Sequence, residues 1–371
     1  MKAFSSGICC FLLTVFSYGQ ELAVVKMRNI TGYISKDGNY QIEPKFINAH
    51  SFAEGLAVVK EGNKFGYINA QGKWVVQPMF DEARSFSSGM AAVKTKKEWY
   101  FIDQTGKKQE QIYAYAKAFD FVNNVAFYRT DGFYGLINKE GEVVMKPMFN
   151  AVRQFENGYS KVRDGKLWGI IDTNGKLVVE AIYNEIGSYI DGVTWAKKDN
   201  YFVLINNGEV IQLPHVTQIV AFNNSKQIIV KSGHYVGVVN SKGQEVLPFK
   251  YQNVHVNGSE LMAVKKDKVW GFMNERQQVV IDFMYEDAFP FDDSGLAAAK
   301  IDKWGFINRK GEMVLSFNYD ITIVNNEGRK QNVGFIDGLA RVKKDNKWGF
   351  IDAKGNALGN RWYDNIELFS K

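Results

Sequence analysis

Apolar residues in this chain come in runs of four to six, rich in Val, Ile, Phe, Tyr and Trp, each closed off by Gly, Asn, Asp or Ser. Runs so short and so bounded predict β-strands. They leave no window for an amphipathic helix of about ten residues or more. One run also returns at a fixed spacing. Trp304-Gly305-Phe306-Ile307-Asn308, followed by Gly311, is repeated as Trp348-Gly349-Phe350-Ile351-Asp352 with Gly355 and as Trp168-Gly169-Ile170-Ile171-Asp172 with Gly175. Phe65-Gly66-Tyr67-Ile68-Asn69 with Gly72 is the same element. In register, the second position falls at Gly32, Gly66, Tyr100, Gly135, Gly169, Val203, Gly237, Gly271, Gly305 and Gly349, at intervals of 34 or 35 residues and a last one of 44. A fixed period of this size marks an array of supersecondary units.

One unit reads as a Leu-Ala-Val-Val-Lys strand, the Trp-Gly strand, a Val-Val-x-Pro-x-Tyr/Phe-Asp strand and a Phe-x-x-Gly link. Between the second and third strands all ten units place Ser, Asn or Asp, from Ser35 to Asp352, and eight have Gly three residues later. That is a type I turn, with a side-chain oxygen bonding the backbone at its first position. Unit six is shorter, and its Asn206-Asn207-Gly208 suits a two-residue hairpin with positive φ. Ten units fill residues 21–371, so the expected organisation is a leader over 1–19 and one array over 20–371.

The expected fold is all-β: about ten three-stranded units of roughly 34 residues wound as a superhelical, solenoid-like array, with a closed propeller-like ring as the alternative. Alternation places Trp and Phe of the anchor on one face, Gly and Ile on the other. Glycine inside a strand marks a close approach by something bulky, and an aromatic ring from a neighbouring strand or unit is the expected neighbour. Tyr100 and Val203 break that rule.

Composition adds two constraints. Aromatics at 14% and hydrophobics at 46% describe folded material. The net charge of +6 falls to +5 once Lys2 leaves with the leader, and lysines alternate with carboxylates along the chain. A polybasic nucleic-acid stripe would look different, so no nucleic-acid partner is expected.

Met1 to Gly19 reads as a cleaved signal peptide, with Lys2 at its start, an apolar run from Ile8 to Phe16 and small residues at Ser17 and Gly19. The run is too short to span a bilayer, and no later stretch does better. Cys9 and Cys10 lie inside this leader, ahead of most of the apolar run, which argues against a lipid-attachment site. The mature chain then has no cysteine, which removes disulfides, thiolate metal sites and a cysteine nucleophile together.

Chemistry is sparse. No Gly-x-Ser-x-Gly elbow, His-Glu-x-x-His, phosphate loop or dinucleotide fingerprint occurs. The histidines are His50, His215, His234 and His255, and their spacing fits no ligand pattern. Asp81, Asp320 and Asp364, with Asn150 and Asn184 in matching places, recur with the repeat and read as turn caps, not acid/base pairs. The recurring Trp and Tyr rings read as inter-unit core, with sugar stacking as the sharper alternative. No catalytic residue, cofactor or metal site is expected, and the chain is read as a non-enzyme.

The recurrent Lys-x-Trp-Gly-Phe-Ile-Asp-x-x-Gly-x-x-Val-Val-x-Pro-x-Tyr-Asp, then Phe-x-x-Gly-Leu-Ala-x-Val-Lys, resembles the WG-repeat family of bacterial exported proteins over residues 21–371. The resemblance implies an all-β repeat array behind a signal peptide and brings no catalytic residues. The copies are poorest at 107–131 and 201–262. The expectation for function is an exported binding or scaffold module for a protein or glycan partner of the cell envelope. Rival readings are an enzyme with a site in the divergent middle units, and a structural spacer. The one failure of the period puts about ten extra residues between Asp320 and Gly334, and Arg329 and Lys330 at the tip of that polar insertion are the candidate partner contacts.

Overall fold

The computed structural model describes residues 21–96, 98–110, 119–222, 226–321 and 333–370. Its strands form ten small antiparallel sheets, seven of four strands and three of three among the described residues. Blade 2 shows the plan: Asn48–Ala49, Leu56–Glu61, Lys64–Asn69 and Trp74–Phe80 pair in that order. The three long strands are those read from the sequence. The two-residue strand is supplied by the preceding unit, because the chain runs from Phe46 at the end of blade 1 straight into Asn48. Blades are numbered here by their first long strand, from Leu22–Met27 in blade 1 to Leu339–Lys344 in blade 10.

The array closes into a ring, a ten-bladed β-propeller. Asn365–Ile366, at the end of the chain, pairs with Leu22–Met27, with Val25 opposite Ile366. Leu22 and Ser370 exchange backbone hydrogen bonds of 2.9 and 3.0 Å. The favoured open superhelix is therefore corrected to the alternative, the closed ring. The physical reason lies in the core. Apolar side chains form ten clusters, each between two successive blades, and the tenth joins Ala23, Val25 and Ile34 of blade 1 to Phe350 and Tyr363 of blade 10. An open array would leave two such faces in water, against roughly 25 cal/mol for each Å² of apolar surface buried.

The anchor glycines answer to a different neighbour from the one expected. Phe65 pairs with Phe80 and Tyr67 with Val76, so two residues of the middle strand face four of the outer strand. The outer strand bulges there, with Pro78 in the bulge, where no ladder N–H is needed. The bulge presses the carbonyl of Val76 onto Gly66: a Cβ there would lie 2.6 Å from that oxygen. Seven of the eight anchor glycines meet such an outer-strand carbonyl at 2.6–2.8 Å. Aromatic rings do lie close at Gly66, Gly135, Gly237, Gly305 and Gly349, yet the shared constraint is backbone. Blade 6 supplies the converse. Val203 replaces the glycine, and its outer strand Glu209–Leu213 pairs without any register shift, Val203 facing Gln212. Its turn is the two-residue hairpin read from the sequence, with positive φ at Asn207 and Gly208.

The type I turns also form as read. In blade 2, Asn69 Oδ1 accepts the N–H groups of Gln71 and Lys73, and Gly72 has φ of 72°.

Candidate functional site

The short strands of four blades, Gln218–Ala221, Asn253–His255, Asp287–Ala288 and Phe335–Ile336, meet with their links around one cavity. It has a volume of about 1250 Å³ and takes its walls from blades 7 to 10, from Ala221 and Ile229 through Asn253–His255 to Gly338. Blades 7 and 10 are not neighbours, so a shared cavity lies on the inside of the ring, and the short strands are the innermost ones.

His255 sits on the innermost strand of blade 8, opposite Ala263. Its Nδ1 lies 2.9 Å from the carbonyl oxygen of Ala288 in blade 9. A carbonyl only accepts, so Nδ1 carries the proton. The imidazole is stacked between Trp270, with centroids 4.5 Å apart, and Phe289, at 4.9 Å, and Phe289 leans on Trp304 at 5.5 Å. Both ring faces are thus covered, and this stack makes the wall between blades 8 and 9 rigid.

The rim is polar. Asn257 donates to the Phe291 carbonyl at 2.9 Å and accepts from Ser259 N–H. The link of blade 9, Phe291-Asp292-Asp293-Ser294-Gly295, is one residue longer than the Phe-x-x-Gly of blade 2. The extra length lets Asp292 turn the chain by accepting from Ser294 N–H and reach blade 10, where Oδ2 accepts Phe335 N–H at 2.6 Å. Glu286 is paired with Lys300 at 3.0 Å, and that bond holds its carboxyl below the ordinary value. Asp337 is paired with Lys36 at 3.0 Å. Asp287 and Asp293 complete a rim in which Lys265 is the lone lysine. Such a surface can hold hydroxyl, amide or cationic groups by hydrogen bonding.

The expected candidates are distributed elsewhere. Arg329 and Lys330 lie outside the described residues. The ends of that insertion are described: Ile321 and Val333 pack against the core between blades 9 and 10, and Val333 and Gly334 line the cavity. His50, His215 and His234 are exposed. The recurring carboxylates and amides act as turn staples. Asp81 Oδ2 accepts Lys96 N–H while Oδ1 meets Lys64, Asp364 takes Arg28 N–H and Lys347 in the same way, and Asn184 accepts Asp199 N–H. Asn150 donates to the Gly165 carbonyl at 2.8 Å, and Asp320 meets Lys303 at 2.7 Å. Of the cavity residues, sequence reasoning had singled out His255 and missed the rest. The signal available was the lengthened link at Asp292–Ser294, whose effect depends on which blades it spans.

The family described as WG containing repeat matches residues 32–65, 65–99, 134–168, 168–202, 237–270, 270–303, 304–329 and 332–348. The chain belongs to the WG-repeat family. The unmatched stretch 203–236 begins at Val203, which replaces the anchor glycine of blade 6. None of the curated proteins matches this WG-repeat sequence. A crystal structure of a eukaryotic initiation factor is similar in fold, with a TM-score of 0.51 at 8% identity, covering 94% of this chain and 97% of that one. Hsv2p of Kluyveromyces lactis is matched with a TM-score of 0.32 at 10% identity, over 63% of this chain and 95% of that one. The extracellular domain of a hybrid two component system of B. thetaiotaomicron is matched with a TM-score of 0.25 at 10% identity, over 94% and 58%. At these identities the likeness to the initiation factor concerns fold alone. No helix among the described residues is long and apolar enough to cross a membrane.

Proposed function

We propose that this WG-repeat propeller is an exported, non-catalytic binding module that holds a protein or glycan partner of the cell envelope at the inner cavity of blades 7–10. One observation carries this reading: the cavity is lined from four consecutive blades by side chains that vary from copy to copy, on a scaffold whose repeated positions serve packing. Export rests on the composition of Met1–Gly19. Arg329 and Lys330 join the contact in this reading, because Val333 and Gly334 at the end of their insertion line the cavity.

The second reading, an enzyme, draws on His255 sharing that cavity with Glu286, Asp287 and Asp292. The binding reading accounts better for His255, whose Nδ1 is engaged with Ala288 and whose ring faces are covered.

Affinity capture from envelope extract tests the proposal with the mature protein, Asp293→Trp and the double variant Arg329→Ala/Lys330→Ala. Asp293 is exposed on the cavity rim, so a tryptophan there obstructs the cavity and leaves the core alone. The expected result is a partner retained by the parent and lost from Asp293→Trp at an unchanged melting temperature. Equal capture by the parent and Asp293→Trp would overturn the cavity as the site.

A further inference from the structure

The repeat places a cation over its anchor aromatic. Lys60 Nζ lies 5.3 Å from the Phe65 ring centroid, and Lys265 lies 5.8 Å from that of Trp270. In two blades a second cation joins from the residue just after the innermost strand, Glu82–Ala83 or Ala151–Val152. Blade 3 has Arg84 at 5.0 Å and Lys94 at 5.8 Å from Trp99. Blade 5 has Arg153 and Arg163, each at 5.4 Å from Trp168.

The two blades differ in what neutralises these charges. In blade 3, Lys94 is paired with Glu82 at 2.6 Å and Arg84 with Asp120 of blade 4 at 3.0 Å. In blade 5 the position of Glu82 is Ala151, and the position of Asp120 in the following blade is Ser188. Both counter-charges are gone. Pairing then adds a third cation: Ala151 faces Arg163 and Val152 faces Val162, which brings Lys161 opposite Arg153 and onto the face that carries Arg163. Among the described residues, none of Arg153, Lys161 and Arg163 makes an ion pair. The side-chain bond found for Arg163 runs from Nε to Asn150 Oδ1 at 3.3 Å. Two acids lie nearby. Glu156 accepts from the Ser188 hydroxyl at 2.8 Å, and Glu185 is paired with Lys197 at 3.3 Å. Blade 10 shows the same geometry used up: Arg341 stands 3.7 Å from the Trp348 centroid, and its guanidinium donates to Ile366 O and Asn365 Oδ1.

We infer that the inner edge of blade 5 is an oxyanion-binding site, in which Arg153, Lys161 and Arg163 around Trp168 receive a carboxylate, phosphate or sulfate group of a ligand. Trp168 is half-buried, and its ring fixes the two guanidinium groups. Guanidinium forks suit planar or tetrahedral oxyanions by paired hydrogen bonds. The site lies outside the cavity of blades 7–10, so it stands independently of the partner proposed there.

Calorimetric titration of the mature protein with inorganic phosphate, sulfate and citrate tests this, and the three arms separate the anion types. Expected is saturable one-to-one binding of at least one of them, weakened about tenfold or more in Arg153→Gln and Arg163→Gln, since each removes a charge-assisted contact. Ala151→Glu, which restores the carboxylate of blade 3, should abolish binding while the melting temperature holds. No heat with any of the three anions, or binding unaltered in Ala151→Glu, would overturn the assignment.

Discussion

A Cβ on Gly305 would lie 2.7 Å from the carbonyl oxygen of Leu315, which the bulged outer strand of blade 9 carries against it. The Phe317 ring, 2.9 Å from that Cβ position, could turn aside, but the carbonyl is main chain and cannot. Gly305→Ala is therefore expected to destabilise by ~1–3 kcal/mol, the range for overpacking a fitted interior. The denaturant midpoint measures it, and an unchanged midpoint would refute the backbone-contact account of the anchor glycine.

Closure of the ring depends on the last residues of the chain. Ile366 is fully buried between blades 1 and 10, so Ile366→Ala should cost ~2–5 kcal/mol, as for other buried aliphatic truncations. Truncating the chain after Tyr363 takes away the partner strand of Leu22–Met27 and should broaden the unfolding transition as the ring frays from both ends. A truncated chain melting like the parent would mean that the seam contributes nothing.

Two tyrosines tie neighbouring blades. Tyr33 donates to His50 O at 2.8 Å and Tyr67 to Arg84 O at 2.7 Å. Burial pushes both phenols well above their ordinary value of 10.0, with the charge of Glu367 adding to it at Tyr33 and that of Asp120 at Tyr67. A raised folded value means that the neutral form is the one the fold favours. The associated stability is fully present below pH 10 and is lost as pH rises from there towards the folded values. Alkaline unfolding above about pH 10 should follow, and Tyr67→Phe should shift its midpoint upward while losing ~0.5–1.5 kcal/mol at neutral pH with the hydrogen bond. An alkaline transition identical in Tyr67→Phe would remove Tyr67 from the cause.

The proposed export makes a mass prediction. The protein recovered from its native host should begin at Gln20, lacking Met1–Gly19. Intact mass spectrometry decides it, and full-length protein in the cytoplasm would exclude the leader.

Local physics was legible along the chain. The long strands, their order, the Asx-type turns and even the exceptional hairpin at Asn207-Gly208 follow from short-range rules, because each is decided by residues within one unit, whereas the short inner strand that each unit lends to the next was not legible. Asp81 and Asp364 as turn staples were legible for the same reason. Three things were decided by tertiary structure. Whether the array stays open or closes depends on the rotation added from blade to blade, and only its sum over ten blades brings Ile366 beside Val25. The neighbour of Gly66 depends on a bulge in another strand, which the alternation of apolar and polar residues does not encode. The cavity and the uncompensated cations of blade 5 depend on which side chains of separate units meet. Ser188 and Ala151 read as unremarkable residues until the ring sets them at the places that Asp120 of blade 4 and Glu82 of blade 3 hold around Trp99. A repeat period fixes what each unit is, and the packing between units fixes what is left exposed for a ligand.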